Sequence, residues 1–215
     1  MRSMLENGGA RFGGGRDFVV CDRPPSRTLA VVGHPRESLV TQGIGAAAER
    51  FEVLAQEDNV DFVCELFPDR TAEALEVYAL VEEPVRPPRR GPAVRLLAGT
   101  DPLDHLPAAL EREMIWARAQ FRVFSVFDRG RPVSFAYAHR STRTYADTSI
   151  DTVEEYRRRG HARAACLYLF ADVRERGLWP TWGAYASNEA SRVLATQLGF
   201  QPAGRIYGFR APATS

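Results

Sequence analysis

Apolar and polar side chains alternate through two runs, FRVFSVF (121–127) and RPVSFAYAH (131–139), separated by Asp128-Arg129-Gly130. A period of two marks a half-buried strand, and a short glycine-containing break between two such runs predicts a hairpin. TYADTSIDTV (144–153) predicts the next strand, with Asp147, Ser149 and Asp151 on one face. From Gly160 to Arg176 the spacing becomes helical, with Ala162, Ala165, Cys166, Leu169, Phe170 and Val173 on one side. Upstream, AVRLLAG (93–99) reads as a strand, and 101–120 contains helices with Leu110, Met114 and Ala117 as the apolar stripe. Downstream, WPTWGAYAS (179–187), NEASRVLATQL (188–198) and GRIYGFR (204–210) predict strand, helix and final strand. The pattern implies an α/β protein with a mixed, largely antiparallel sheet flanked by helices.

The first part of the chain predicts a small N-terminal α/β layer. DFVVC (17–21) and TLAVVG (28–33) carry the β-branched content of strands. AAAERFEVLAQ (46–56) predicts a helix, VDFVCELF (60–67) a strand, and AEALEVYAL (72–80) a second helix. EEPVRPPRRGP (82–92) holds four prolines and one glycine, which oppose both helix and central strand. The expected organisation is a flexible leader at 1–16, an α/β segment at 17–84, a linker at 85–92 and the main domain at 93–215. Arg86, Arg89 and Arg90 are read as a solvated hinge.

Composition narrows the function classes. The 28 basic residues are all arginine and face 27 acidic ones, for a net charge of +1. That balance excludes the strongly basic surface of a protein devoted to nucleic acid. No apolar run is long enough for a membrane helix, and the N-terminus lacks the apolar core of a secretory signal. Cys21, Cys64 and Cys166, with His34, His105, His139 and His161, fall in no metal-ligand spacing, so no metal and a cytoplasmic location are expected.

The chemistry concentrates between the third strand and the helix after it. That turn contains Arg157, Arg158, Arg159 and Gly160, with Arg163 just inside the helix. Arginines at the positive end of a helix are opposed by its dipole, so an anionic ligand explains them better than solvent does. Glycine and the small Ala162 permit close approach to main-chain N–H groups, as a pyrophosphate requires. The alternative of a Walker-type loop at Gly13–Gly15 fails because the chain contains no lysine.

RRRGHA (157–162) fits the Arg/Gln-x-x-Gly-x-Gly/Ala signature, and NEASRVLATQLGF (188–200) resembles the asparagine-containing helix and Leu-Gly-Phe exit, of the GCN5-related N-acetyltransferase (GNAT) superfamily. More narrowly, IDTVEEYRRRGHARA and PTWGAYASNEASRVLATQLGF resemble a branch associated with zwittermicin A resistance. The resemblance covers residues 92–210 and implies a GNAT-like sheet and acetyl-CoA as co-substrate. It implies that Arg157, Arg158, Arg159, Gly160, His161 and Ala162 receive the pyrophosphate. By the same resemblance, the main chain of Ile150, Asp151 and Thr152 holds pantetheine and the thioester carbonyl, and Asn188 contacts the cofactor arm. Asn188 also reads as a helix N-cap, and the two roles are compatible. Many relatives carry a tyrosine that protonates the departing thiolate; here that position is Ala195.

Transfer to an amine needs a group to remove its proton. Asp147 is the first candidate and Asp151 the second. Glu113 is read as part of a solvated helix face, His139 as a surface histidine, Tyr137 as a packing aromatic and Cys166 as an inert core thiol. The expected activity is direct acetyl transfer to a primary amine on a small molecule, such as an antibiotic. The expected partners are that amine and acetyl-CoA, with no nucleic acid and no membrane, and with a homodimer left open. The alternatives are a protein or peptide N-acetyltransferase and a non-catalytic acyl-CoA-binding regulatory module.

Overall fold

The computed structural model describes residues 9–21, 26–87 and 91–211. They divide into two compact units. One holds the described residues up to Tyr78 together with Gly183–Arg192 and the chain from Pro202; the other holds Ala79–Trp182 and Val193–Gln201. The first unit is therefore discontinuous in sequence. Residues 1–8 of the expected leader, and Arg89 and Arg90 of the expected linker, lie outside the described residues.

In the second unit the chain forms β6 (Val94–Leu96), α3 (Ala108–Gln120), β7 (Phe124–Asp128), β8 (Arg131–Ser141), β9 (Tyr145–Thr152) and α4 (His161–Glu175). β10 (Trp179–Tyr185), α5 (Glu189–Gln197) and β11 (Phe200–Arg210) follow, each with residues assigned to both units. The strand order is β10-β9-β8-β7-β6. Adjacent pairs from β6 to β9 are antiparallel, and β9 pairs β10 in parallel. The hairpin predicted around Asp128–Gly130 forms, with Arg129 and Gly130 at positive φ. Met114 and Ala117 of α3 bury against Phe135 and Tyr137 of β8 and Val153 beyond β9. This packing fixes one face of the sheet where the acidic positions of β9 emerge.

The first unit contains β1 (Ala10–Gly14), β2 (Asp17–Cys21), β3 (Ser26–Val32), α1 (Glu37–Gly45), β4 (Ala47–Ala55), α2 (Val60–Leu66) and β5 (Thr71–Leu80). Its strand order is β1-β2-β3-β4-β11-β5. Several elements differ from the sequence expectation. Residues 10–14, expected to be flexible leader, pair with β2. The stretch 46–56 is the strand β4 rather than a helix. Phe51, Val53 and Ala55 alternate along it, and hydrogen-bonding to β3 on one side and β11 on the other overrides the helix propensity of its alanines and glutamates. The stretch 60–67 is helical rather than extended, because Val63 and Phe67 bury on one face four residues apart. The stretch 72–80 is a strand rather than a helix. Its glutamates meet arginines, Glu73 with Arg210 at 3.4 Å and Glu76 with Arg205 at 3.7 Å. The helix α1 carries only a short apolar stripe, Val40 and Gly43, and was not expected.

Phe209 of β11, fully buried, completes a core made by Val19, Leu29, Val31, Val53, Val63 and Phe67. The Arg70 guanidinium donates to the main-chain oxygens of Phe51 at 2.6 Å and Phe209 at 3.3 Å, tying the last strand to β4. The C-terminal strand is thus part of the N-terminal hydrophobic core. Phe209→Ala is expected to destabilise this unit by about 3–5 kcal/mol. Hydrogen exchange at residues 17–67 would show the loss, and unchanged protection there would contradict the assignment.

Candidate active site

Two sets of groups meet along β9, its main-chain edge and one side-chain face. Among the described residues the parallel ladder between β9 and β10 covers only Tyr145–Trp179, Ala146–Pro180 and Asp147–Thr181. Beyond Asp147 the edge of β9 that faced β10 has no ladder partner, whereas its other edge continues with β8 to Thr152. A strand whose N–H and C=O groups are unpaired on one side needs another source of hydrogen bonds. The main-chain groups of residues 148–152 that face away from β8, apart from the Thr152 carbonyl bonded by Arg157, can be supplied to an extended ligand. Ser134 Oγ bonds to Thr152 Oγ1 at 2.7 Å and to the Asp151 carbonyl at 3.2 Å, holding the free segment in place.

The chain then passes through a 3-10 turn at Glu154–Tyr156 into the arginine-rich loop. Arg158 adopts φ 63, a left-handed conformation that costs a non-glycine residue on the order of 1 kcal/mol. Gly160 follows at φ 78 and is the N-cap of α4, with no side-chain cap bond and no acidic residue in the first turn. Left-handed residues next to a helix start are one way that successive N–H groups come to face a common anion. A Cβ placed on Gly160 would meet no described atom within 4 Å, so that side of the residue is uncrowded. The His161 Nδ1 atom is buried without a hydrogen-bond partner. Burial, and secondarily the nearby Arg159, lower the His161 pKa, which keeps the ring neutral at pH 7. Arg157 Nε donates to the Thr152 carbonyl at 3.3 Å, and the Arg159 guanidinium stands 5.3 Å from the centre of the Tyr156 ring. An uncrowded glycine, uncapped N–H groups and an orphaned ring nitrogen fit a pyrophosphate.

The side-chain face of β9 is acidic and partly buried. Asp151, Ser149 and Asp147 point the same way, opposite Phe135 and Tyr137 of β8. The Asp151 pKa is raised to about 7, first by burial and then by the negative charge of Glu113, with Arg157 opposing. Tyr137 Oη donates to Glu113 Oε1 at 2.7 Å. Burial and that carboxylate push the phenol well above its ordinary range, so the hydroxyl stays protonated. On the other side of Tyr137, Ser149 Oγ lies 3.0 Å from His139 Nδ1, and His139 Nε2 lies 3.6 Å from Asp147. His139 lies at a bulge of β8 between Ala138 and Arg140, and alternation from Phe135 and Tyr137 places it on this same face. The sequence contained no sign of the bulge.

Of the sequence candidates, Asp147, Ile150, Asp151, Thr152 and the turn from Arg157 to Ala162 lie along one strand–turn–helix segment. Asp151 is the more enclosed carboxylate, and Asp147 is more than a third exposed. Asn188 caps α5, accepting from the Ser191 N–H at 3.0 Å. Glu113, Tyr137 and His139 were undervalued: each is held by a polar partner in the cluster. For Glu113 the signal was its place one residue before the buried Met114, at the border of the apolar stripe. Cys166 is fully buried, which raises its thiol pKa and agrees with an inert core role. Ala195 is fully buried as well. Among the described residues no group of three His, Cys, Asp or Glu side chains is arranged to hold a metal ion, and no helix is long and apolar enough to cross a membrane.

A folded carboxyl with a pKa of about 7 binds a proton that the unfolded chain releases near pH 4. Stability from Asp151 is therefore full below pH 4 and is lost as pH rises through 7. Asp151→Asn is expected to unfold at higher urea than the parent at pH 8, with the two converging at pH 4. Parallel curves at all pH values would contradict the enclosed carboxyl.

Residues 119–208 match the family model described as GNAT acetyltransferase. A GCN5-related N-acetyltransferase-like protein from Streptococcus suis 89/1591 superposes with a TM-score of 0.70 at 17% identity, covering 97% of this chain and 90% of that one. An acetyltransferase of the GNAT family from Novosphingobium aromaticivorans DSM 12444 gives 0.68 at 19% identity, covering 97% and 95%. A tandem GNAT protein from the clavulanic acid biosynthesis pathway, solved without AcCoA, gives 0.54 at 14% identity, covering 94% and 82%. No curated protein matches the chain. The chain has the GNAT fold, and the match to the GNAT acetyltransferase family model spans the β9 edge, the arginine-rich turn and α4.

Proposed function

We propose that the protein transfers an acetyl group from acetyl-CoA to a primary amine of a small cationic molecule. The observation that carries this reading is the adjacency, on one strand, of an unpaired main-chain edge leading to the anion turn and an enclosed acidic face. In this reading the N–H groups of residues 159–162, with His161 and the flanking arginines, bind the pyrophosphate. The main chain of Ile150, Asp151 and Thr152 lies alongside the pantetheine arm. The co-substrate supplies an acetyl thioester, activated toward attack by a nitrogen lone pair.

Asp151, Glu113 and Asp147 attract an ammonium group and concentrate it at the β9 face. An ammonium has no lone pair, so one proton must leave before the C–N bond forms. Asp151, with a pKa of about 7, is matched to that task at neutral pH, and we assign it as the base in place of the more exposed Asp147. Tyr137, kept protonated by burial and by Glu113, is a positioning donor. Ser149, His139 and Asp147 form a polar path from Tyr137 toward the more exposed end of the strand. As the C–N bond forms the C–S bond breaks, and the sulfur leaves with a proton. A thiol with a pKa near 8.5 leaves without a dedicated acid, which is consistent with Ala195 at the position where many relatives carry tyrosine. Resemblance to the zwittermicin A resistance branch supports a small acceptor, and the acidic face supports a cationic one.

Thiol release from acetyl-CoA against a panel of amines, antibiotics and peptides is the direct test. Small cationic amines should turn over, with kcat/KM rising through an apparent pKa near 7. Asp151→Asn should lower kcat by a factor on the order of 10²–10⁴ and remove that rise. Tight CoA binding without turnover of any acceptor would favour the regulatory-module reading, and turnover confined to peptides would favour the protein N-acetyltransferase.

A further inference from the structure

The order of elements in the two parts of the chain is the same. β1, β2, β3, α1, β4, α2 and β5 are followed later by β7, β8, β9, α4, β10, α5 and β11. The pairings match as well. β1–β2 and β2–β3 are antiparallel and β3–β4 is parallel across a helix; β7–β8 and β8–β9 are antiparallel and β9–β10 is parallel across a helix. The β3–α1 connection is thus the counterpart of the β9–α4 turn. It also contains a left-handed glycine, Gly33 at φ 63.

The two copies differ at each feature that a nucleotide cofactor would use. The β3–β4 ladder continues through Leu29–Val53, Ala30–Leu54 and Val31–Ala55, so it stops one residue short of the end of β3. The β9–β10 ladder leaves residues 148–152 free on that side. In front of Gly33 the space is taken: a Cβ there would fall on the Asp17 carboxylate. That carboxylate accepts the His34 N–H at 3.0 Å. Pro35 has no N–H to offer, and α1 opens with the acidic Glu37, whereas α4 opens with no acidic residue after three consecutive arginines. A pyrophosphate at the first turn would meet the Asp17 carboxylate in the place it needs, a Glu37 charge that offsets the neighbouring Arg36, and a main-chain edge already bonded to β4.

We infer that the chain carries the strand–turn–helix plan twice, and that the first copy is closed by its own Asp17 carboxylate, so that one CoA binds per chain and only at β9–α4. The stoichiometry rests on the proposed CoA reading; the closed turn does not. Calorimetric titration of the full chain with CoA is expected to give one site. Gly160→Val, which forces a branched side chain into a left-handed position facing the ligand, should weaken binding by on the order of tenfold or more. Amide exchange at His34 should be slow in the parent, unchanged by CoA, and markedly faster in Asp17→Ala, which should retain the single CoA site. Two CoA per chain would overturn the inference, as would residual binding in Gly160→Val that Asp17→Ala strengthens. If no CoA binds, the transferase reading fails. In that case the His34 amide alone decides the closed turn: Asp17-dependent protection upholds it, and exchange indifferent to Asp17→Ala overturns it.

Discussion

The constraint on which this structure depends is the early end of the parallel ladder between β9 and β10. A sheet satisfies its main-chain groups by pairing each strand on both sides, and β9 does so only as far as Asp147 on its β10 side. The five residues after that point keep their bonds to β8 and their strand geometry, which leaves a rigid edge with donors and acceptors in register. The same segment runs directly into the turn with left-handed Arg158 and Gly160. A free edge alone is a liability for aggregation, and an uncapped helix alone is ordinary. Joined in one continuous segment, they are the geometric basis of the proposed CoA site. α3 and β8 supply the other half of the site by burying Asp151 beside Tyr137 and Glu113.

Much of the second unit was legible in its sequence because local pattern and tertiary environment agree there. The alternation in 121–139, the helical stripe after Gly160 and the Asp128–Gly130 turn each describe the element that forms. The start of α4 after Gly160 was legible from the onset of helical spacing, and the arginines that oppose its dipole are the sequence ground for the proposed anion site. The acidic face was only partly legible. Alternation put Asp147, Ser149 and Asp151 on one side, but which carboxylate is enclosed depends on α3 and on the Glu113 charge, both distant in sequence. His139 was read as a surface histidine because its partners, Ser149 and Asp147, come from the neighbouring strand β9 and not from its own.

The first unit was harder to read, and its errors share a cause. β4 and β5 are rich in alanine, glutamate and leucine, residues that favour helix when isolated. They are strands because β11, which arrives from the far end of the chain, hydrogen-bonds beside them and contributes Phe209 and arginines that neutralise Glu73 and Glu76. A local reading has no access to a partner more than a hundred residues away. The two copies of the strand–turn–helix plan escaped notice in the sequence for the same reason: what they share is pairing order, while their turn sequences, Gly33-His34-Pro35-Arg36 and Arg157-Arg158-Arg159-Gly160, differ.

The central claim is that the β9 edge and the α4 turn together receive CoA. Hydrogen exchange with and without CoA tests it most directly, because the groups in question are main-chain amides. The account predicts slowed exchange over residues 148–152 and 159–163, with no change over residues 33–37. Slowed exchange confined to other segments, with 148–163 unaffected at saturating CoA, would contradict it.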